Sequence, residues 1–170
     1  MSTVTLNIKG KVAYLSLNRA EKYNALTQEM WQAIGDACDA LAQDQSIRVL
    51  VLSAQGDKAF CAGADIQELH SMLSNPDAFA ASNEIVQVAQ QKLAALPFAT
   101  IAQINGVCVG GGMGLAMCCD FRIAVNSASF AITPSKLGLL YSLADTQRLV
   151  DLVGLPRAKE LLYLGKKIDA

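Results

Sequence analysis

The sequence predicts an α/β fold on a mixed, largely parallel sheet, and three observations support this class. Val49–Ser53 (VLVLS) is a continuous apolar run, which is typical of a strand covered on both faces. Ile101–Ile104 repeats that character after a helical stretch around Glu84–Leu96, which Pro97 would end. Strands that alternate with helices in this way favour crossover units, and such units join parallel strands.

Local patterns predict the other elements. Val4–Ile8 and Val12–Leu17 alternate apolar with polar residues around a Lys-Gly-Lys turn, which predicts a β-hairpin. Thr27 can cap a helix whose inward face lies at helical spacing. That face comprises Met30, Ile34, Cys38 and Leu41. Further helices are predicted around residues 112–118, 142–152 and 157–163. Since no repeat, low-complexity segment or linker interrupts the pattern, residues 1–170 are predicted to form a single domain.

The composition is apolar for a globular domain. Of the 170 residues, 52% are hydrophobic and 17% are charged, whereas an ordinary domain carries roughly 25% charged residues. A net charge of −1 combined with high hydrophobicity excludes a disordered chain. The 14 basic and 15 acidic residues leave no electrostatic footprint for nucleic acid, so no nucleic-acid partner is expected. The apolar excess then has three explanations: a membrane, an oligomer, or a missing part of the chain.

A membrane explains the apolar excess least well. Leu93–Cys119 carries no charge and is long enough to cross a bilayer on length alone. However, it contains Pro97, Gln103, Asn105 and five glycines, and it therefore reads as strand, turn and helix. The polar N-terminus (MSTVTLNIKG) resembles a strand rather than a signal peptide. No membrane association is expected.

The cysteines predict neither a metal site nor secretion. They are odd in number, and they lack CxxC spacing and a partner histidine array. We expect buried, reduced thiols in a cytoplasmic protein. The five are Cys38, Cys61, Cys108, Cys118 and Cys119.

The first informative segment is Ala59–Ile66 (AFCAGADI), which follows a strand and opens a helix. Asp65 and Glu68 have the spacing of a capping box at that helix start. The small residues at 62–64 allow a ligand to approach the main chain and leave N–H groups free beside the helix. A plain loop-to-helix turn explains this segment, taken alone, equally well.

The second segment is Asn105–Leu115 (NGVCVGGGMGL), in which a strand runs into three glycines and then a helix. Such a turn presents N–H groups and the positive end of a helix dipole, which together suit an anion. The dinucleotide G-x-G-x-x-G spacing fails at Leu115, and no Gly-Lys-Ser/Thr follows as in a P-loop. Two such donor segments that converge on one oxygen would form an oxyanion hole.

Four segments together resemble the enoyl-CoA hydratase/isomerase (crotonase) superfamily, and they occur in family order across nearly the whole chain. They are LSLNRAEKYNAL (15–26), KAFCAGADI (58–66), INGVCVGGGMGLAMCCD (104–120) and FAITPSKLGLL (130–140). The resemblance implies a crotonase-like spiral of β-β-α units (the ClpP/crotonase-type fold) that binds an acyl-CoA thioester. Relatives continue past Ala170 through further helices, so the C-terminal helical part of the fold is expected to be missing.

The resemblance also implies a site. The thioester carbonyl would lie between the N–H groups of Ala64 and Gly111, which would stabilise the resulting enolate. The loop from Lys22 to Ala25 and the main chain of Ala62–Ile66 would hold the nucleotide part of coenzyme A. The residues expected there are Lys22, Ala25, Ala62, Gly63, Asp65 and Ile66. The basic side chains of Arg19 and Lys22 suit a phosphate contact, with surface solvation as the alternative. Coenzyme A enters as part of the substrate, so no separate cofactor is expected.

The sequence departs from the family pattern at the two glutamates that a hydratase uses to add water. Counting from the glycine run, the first falls on Gly114; counting from Phe130, the second falls on Pro134. Neither residue transfers a proton, which argues against hydration by that mechanism. Methylmalonyl-CoA decarboxylases, a related branch, carry a tyrosine at the position of Tyr141. Tyr141 is therefore a candidate to contact the acyl group or to protonate an enolate, with half-buried packing as the alternative.

Three nearby residues have simpler explanations. Ser142 and Asp145 have capping-box spacing at a helix start, which is favoured over catalysis for Asp145. Ser142 lacks a histidine or lysine partner that would make it a nucleophile. His70, the single histidine, is expected on a solvated helix surface.

Two hypotheses of function follow. The first is an acyl-CoA thioester enzyme that stabilises an enolate without the paired glutamates, decarboxylation being the most economical chemistry because loss of CO₂ forms the enolate directly. The second is an acyl-CoA-binding or scaffold protein that has lost hydratase activity. The resemblance further implies a homo-oligomer, a trimer or a pair of trimers. We expect the absent C-terminal part and neighbouring subunits to cover the excess apolar surface.

Overall fold

Nine strands and six helices occur in residues 2–170, the part of the chain that the computed structural model describes. The strands are β1 (Val4–Lys9), β2 (Val12–Leu17), β3 (Val49–Ala54), β4 (Ala59–Cys61), β5 (Ala99–Ile104), β6 (Val107–Val109), β7 (Phe121–Ala124), β8 (Ser129–Ala131) and β9 (Ile168–Asp169). The helices are α1 (Gln28–Gln43), α2 (Ile66–Leu73), α3 (Pro76–Ala94), α4 (Gly111–Cys118), α5 (Leu143–Val153) and α6 (Leu155–Leu164).

The strands form two sheets. One has the order β1-β2-β3-β5-β7, and the other has the order β4-β6-β8-β9. Only the β1–β2 and β8–β9 pairs are antiparallel among the paired strands of residues 2–170. Three successive strand pairs, β3–β4, β5–β6 and β7–β8, each place one strand in each sheet and then lead into helices. The predicted α/β class and its β-β-α spiral are therefore confirmed.

The predicted hairpin and the first predicted helix are also confirmed. β1 pairs with β2 from Val4 opposite Leu17 to Lys9 opposite Val12. At the start of α1, the Thr27 hydroxyl accepts a hydrogen bond from the N–H of Met30 at 3.2 Å. All four residues predicted for the inward face of α1 are buried.

Helix α3 differs from its prediction, because it begins at Pro76 rather than near Glu84 and ends at Ala94. The Asn75 side chain accepts a hydrogen bond from the N–H of Ala78 at 3.2 Å, and proline occupies the first helical position. This cap and proline are a recognised helix start. The small residues that follow carry too little apolar periodicity to reveal it.

The main core lies between the sheets and helices α1, α3 and α4. Its largest fully buried side chains include Leu15, Leu50, Phe60, Ile104 and Leu115. A smaller apolar cluster joins α4, α5 and α6 around Met117, Leu149 and Leu161. None of the helices within residues 2–170 combines the length and apolarity that crossing a bilayer requires.

Candidate active site

The two glycine-containing segments predicted to form a donor site lie against each other. Gly63 (φ 102°) and Gly110 (φ 53°) have left-handed backbone conformations, which favour glycine. A Cβ added at Gly63 would lie 3.3 Å from the Val109 carbonyl oxygen and 3.8 Å from the Gly111 nitrogen. Glycine therefore allows the two main chains to approach closely.

Ala64 and Gly111 both line one cavity of about 520 Å³. Leu26 donates to the carbonyl of Gly63 and accepts from the N–H of Asp65, both at 2.8 Å, so this bridge does not use the N–H of Ala64. Gly111 is the first residue of α4, and its N–H has no acceptor within that helix. Neither N–H has a hydrogen-bond partner within residues 2–170. The structure thus brings the two predicted donors to one cavity.

The cavity wall is uncharged. No Asp, Glu, Lys, Arg or His side chain of residues 2–170 lines it. Helix α3 contributes Phe79, Val86 and the amides of Asn83 and Gln87. The segment before α5 contributes the remaining polar side chains, those of Thr133, Tyr141 and Ser142. Among these described residues, the Tyr141 phenol is the one side chain in the wall that titrates.

Tyr141 lies in the cavity wall and is half-buried. Its hydroxyl donates to the carbonyl oxygen of Gly110 at 3.1 Å. Burial raises the pKa of Tyr141 well above its usual value, so the phenol remains protonated. The hydroxyl therefore ties the loop before α5 to the second glycine segment.

The loop predicted to hold coenzyme A lies beside the first glycine segment. Tyr23 and Asn24 both have φ 53°, and Asn24 is buried. The Asn24 amide donates to the carbonyls of Gln55 (3.0 Å) and Ala59 (2.9 Å) and accepts from the N–H of Arg19 (2.9 Å). Sequence reasoning overlooked Asn24, although asparagine is one of the non-glycine residues that are enriched at positive φ.

Arg19 and Asp65 form an ion pair that joins the two segments. The Arg19 guanidinium lies 2.7 Å from the Asp65 carboxylate and donates to the carbonyl of Ala25 at 3.1 Å. The Arg19 hydrogen bond is the main cause that lowers the pKa of Asp65. Arg19 is therefore engaged with protein groups, in contrast to its predicted phosphate contact. Lys22 remains exposed at the edge of the loop.

The predicted capping box at α2 is half formed. The Asp65 carboxylate accepts from the N–H groups of Gln67 (2.9 Å) and Glu68 (3.2 Å), as predicted. Glu68 does not return the bond, because the carbonyl of Leu26 already accepts the N–H of Asp65. The Glu68 carboxylate accepts instead from the N–H of Gln28 at the start of α1 (2.9 Å).

The predicted capping box at α5 is also half formed. Ser142 accepts from the N–H of Asp145 at 3.0 Å, as a cap should. The Asp145 carboxylate is buried and accepts from the Ser142 hydroxyl (2.9 Å) and the Gln90 amide (3.2 Å). Arg148 lies 3.2 Å from the same carboxylate. Gln90 was not predicted, since it lies on α3 and the sequence does not show which helices meet.

Other predicted residues take simple structural roles. His70 is exposed on α2, as expected. All five cysteines are free and buried, as predicted. Burial raises the pKa of the Cys61 thiol to about 12, so this cysteine beside the first glycine segment remains protonated. Ala62 and Ile66 line the cavity and are exposed.

Solved structures share this fold along its whole length. An enoyl-CoA hydratase/carnithine racemase from Magnetospirillum magneticum superposes with a TM-score of 0.95 at 34% identity, covering 100% of this chain and 64% of that one. An enoyl-CoA hydratase from Bacillus anthracis superposes with a TM-score of 0.94 at 35% identity, covering 99% and 65%. The fold is thus the crotonase-type fold of enoyl-CoA hydratases.

The chain belongs to the enoyl-CoA hydratase/isomerase family, whose sequence description matches residues 7–170. Crotonyl-CoA hydratase from Syntrophomonas wolfei is 38% identical over 169 residues, 98% of this chain and 64% of that protein. The mitochondrial methylglutaconyl-CoA hydratase of Mus musculus is 34% identical over 161 residues, 93% of this chain and 50% of that protein. The chain therefore spans less than two thirds of these relatives.

Proposed function

We propose that the protein is an acyl-CoA thioester enzyme that stabilises a thioester enolate between the N–H groups of Ala64 and Gly111. The observation that carries the proposal is that these two N–H groups lack partners in residues 2–170 and belong to residues that line one cavity. The positive end of α4 adds to the field at Gly111. The names of the hydratase relatives support an acyl-CoA substrate.

Coenzyme A would lie along the two segments that Arg19 and Asp65 tie together. Lys22 and Ala25 would contact it from the loop, with Lys22 as the phosphate contact. The main chain of Ala62–Ile66 would line its path into the cavity. Asp65 would contribute its main chain only, because its carboxylate is bound to Arg19. No separate cofactor is part of this proposal.

The reaction we favour does not use paired glutamates. Gly114 and Pro134 stand where the family resemblance places those residues, and no carboxylate of residues 2–170 lines the cavity. Decarboxylation of a carboxyacyl-CoA requires no base: the bond to the carboxylate breaks, CO₂ leaves, and its electron pair remains as the enolate. The uncharged wall provides no cation that would stabilise the carboxylate of the bound substrate. The enolate oxygen, in contrast, gains two N–H donors.

The oxyanion hole is tested by a proline substitution. Gly111→Pro removes the N–H at the first position of a helix, where proline is well tolerated. Gly111→Ala adds a comparable Cβ, which meets Leu26 and Trp31 at 3.3 and 3.4 Å, but keeps the N–H. We expect Gly111→Pro to lower kcat by roughly 10²–10³ relative to Gly111→Ala. Equal rates for the two variants would contradict an enolate bound at Gly111.

The reaction type is tested with three thioesters: crotonyl-CoA, malonyl-CoA and methylmalonyl-CoA. We expect decarboxylation of a carboxyacyl-CoA, measured as CO₂ release. Robust hydration of crotonyl-CoA that survives Tyr141→Phe and Asp145→Asn would contradict a reaction independent of glutamates. Thioester binding in calorimetry without turnover of a broad acyl panel would instead favour the non-catalytic alternative.

A further inference from the structure

A buried polar cluster lies behind the cavity wall, outside the two donor segments. Gln90 and Asp145 are only 1% and 4% exposed, and neither lines the cavity. The Asp145 carboxylate accepts from the Gln90 amide at 3.2 Å and from the Ser142 hydroxyl at 2.9 Å. Arg148 lies 3.2 Å from its other oxygen and balances its charge. Ser142 alone of these four residues reaches the cavity.

This cluster fills the space that a side chain at residue 114 would need. A Cβ added at Gly114 would overlap the Gln90 Nε2 and would lie 3.4 and 3.5 Å from the two carboxylate oxygens of Asp145. The carboxyl group at this place in the fold therefore comes from α5 rather than from α4. It acts on the cavity only through the Ser142 hydroxyl.

The bonds of Ser142 decide what it presents to the cavity. A hydroxyl has one proton and two lone pairs. Ser142 gives its proton to Asp145 Oδ2 and uses one lone pair to accept the N–H of Asp145 at 3.0 Å. One lone pair remains, so towards the cavity Ser142 is a hydrogen-bond acceptor. The Tyr141 hydroxyl, the neighbouring polar group, gives its proton to Gly110.

We propose that Ser142, held by Asp145 as a positioning residue, binds the water molecule that protonates the enolate α-carbon. The inference rests on the proposed function and adds the source of the proton. The water donates one hydrogen bond to Ser142 and transfers its other proton to the α-carbon, where the new C–H bond forms. Its hydroxide combines with the released CO₂ to give bicarbonate, which balances the reaction. A hydroxyl group on an acyl chain would bind the same lone pair.

The first test measures binding and does not depend on turnover. Calorimetry compares 3-hydroxybutyryl-CoA with butyryl-CoA, which lacks the hydroxyl donor. We expect the wild-type protein to prefer the hydroxyacyl thioester, and Ser142→Ala to reduce that preference by about tenfold, the value of one lost hydrogen bond. Ser142→Thr keeps the hydroxyl and should retain the preference. Gln147→Ala, an exposed change on the same helix, is the matched control and should also retain it.

The second test measures decarboxylation. We expect Ser142→Ala and Asp145→Ala to lower kcat with little change in KM, and Ser142→Thr to restore kcat. If Ser142→Ala changes neither the preference for the hydroxyacyl thioester nor kcat, this inference is overturned while the proposed function stands. Failure of the wild-type protein to bind either thioester would overturn both.

Discussion

Asn24 stabilises the candidate coenzyme A loop from a left-handed backbone conformation. Its side chain makes three hydrogen bonds to main-chain groups on both sides of the loop. The Ala62 N–H donates to the Tyr23 carbonyl at 3.0 Å, so the same turn also positions the first donor segment. At the scale of single residues, this side chain shapes the site without lining the cavity.

Asn24→Ala tests this role. The substitution removes three hydrogen bonds. It also leaves an alanine at positive φ, where its Cβ is unfavourable and its side chain cannot form a local hydrogen bond. We expect it to lower the free energy of unfolding by about 2–4 kcal/mol in urea denaturation. Asn7→Ala, on an exposed position of β1, is the control and should stay within about 0.5 kcal/mol. Similar losses for the two variants would show that the Asn24 bonds contribute little.

Gly114 makes a second prediction at this scale. Gln90 cannot move away from a Cβ at residue 114 without giving up its bond to the buried Asp145 carboxylate. We therefore expect Gly114→Ala to destabilise the protein by about 1–3 kcal/mol. Gly35→Ala is a matched control, because Gly35 is also a buried helical glycine but its Cβ would have contacts of 3.7 Å. It should stabilise the protein by up to about 1 kcal/mol. A Gly114→Ala variant as stable as Gly35→Ala would contradict the packing described here.

At the scale of elements, the pattern of apolar and polar residues predicted the correct helix or strand where a segment is long enough to show its period. The alternation in β1 and β2, the buried face of α1 and the apolar run of β3 all gave the right element. The three-residue strands β4, β6 and β8 are too short to show a period, and their pairing depends on distant segments. The two donor segments could be located from their glycines and other small residues, because these residues are visible in the local sequence. The contact between Gln90 and Asp145 was not predictable, because these residues lie on different helices and are 55 positions apart in the sequence.

The Arg19–Asp65 pair joins the coenzyme A loop to α2 and makes stability depend on pH. The pKa of Asp65 is lower in the folded protein than in the unfolded chain, so the unfolded chain binds a proton first as the pH falls. The stabilisation by the ionised carboxylate is therefore complete above the unfolded pKa, about 3.9, and is lost as the pH falls through the lower folded value. We expect the free energy of unfolding of the wild-type protein to fall below about pH 4.

Asp65→Asn isolates this contribution, because asparagine still caps α2. The variant should be less stable at neutral pH, and its stability should depend less on pH below about pH 4. Asp57→Asn, which changes an exposed loop carboxylate, should behave like the wild type. Urea titrations between pH 2.5 and 7 measure all three. Parallel curves for the wild type and Asp65→Asn would show that the ion pair does not contribute.

At the scale of the whole molecule, the apolar composition appears on the surface. Leu140, just before α5, is 98% exposed, and Leu143, the first residue of α5, is 86% exposed. Tyr163 on α6 is 72% exposed. Leu140 and the half-buried Tyr141 also line a second, mostly apolar hollow beside α6. The described chain therefore presents large apolar side chains next to the candidate acyl cavity. Their exposure is consistent with the expectation that this surface is covered by other protein.

Self-association is the prediction at this scale. Covering a fully exposed leucine contributes about 1.5–3 kcal/mol, and two such residues on one segment favour contact between copies of the chain. We expect the protein to sediment as a species larger than its 18.0 kDa monomer. Leu140→Ser combined with Leu143→Ser should shift it towards the monomer, whereas Ile8→Ser, on the edge strand β1, should not. A wild-type protein that sediments as a stable monomer would contradict both the predicted homo-oligomer and this account of the apolar excess, because the exposed leucines would then tolerate water.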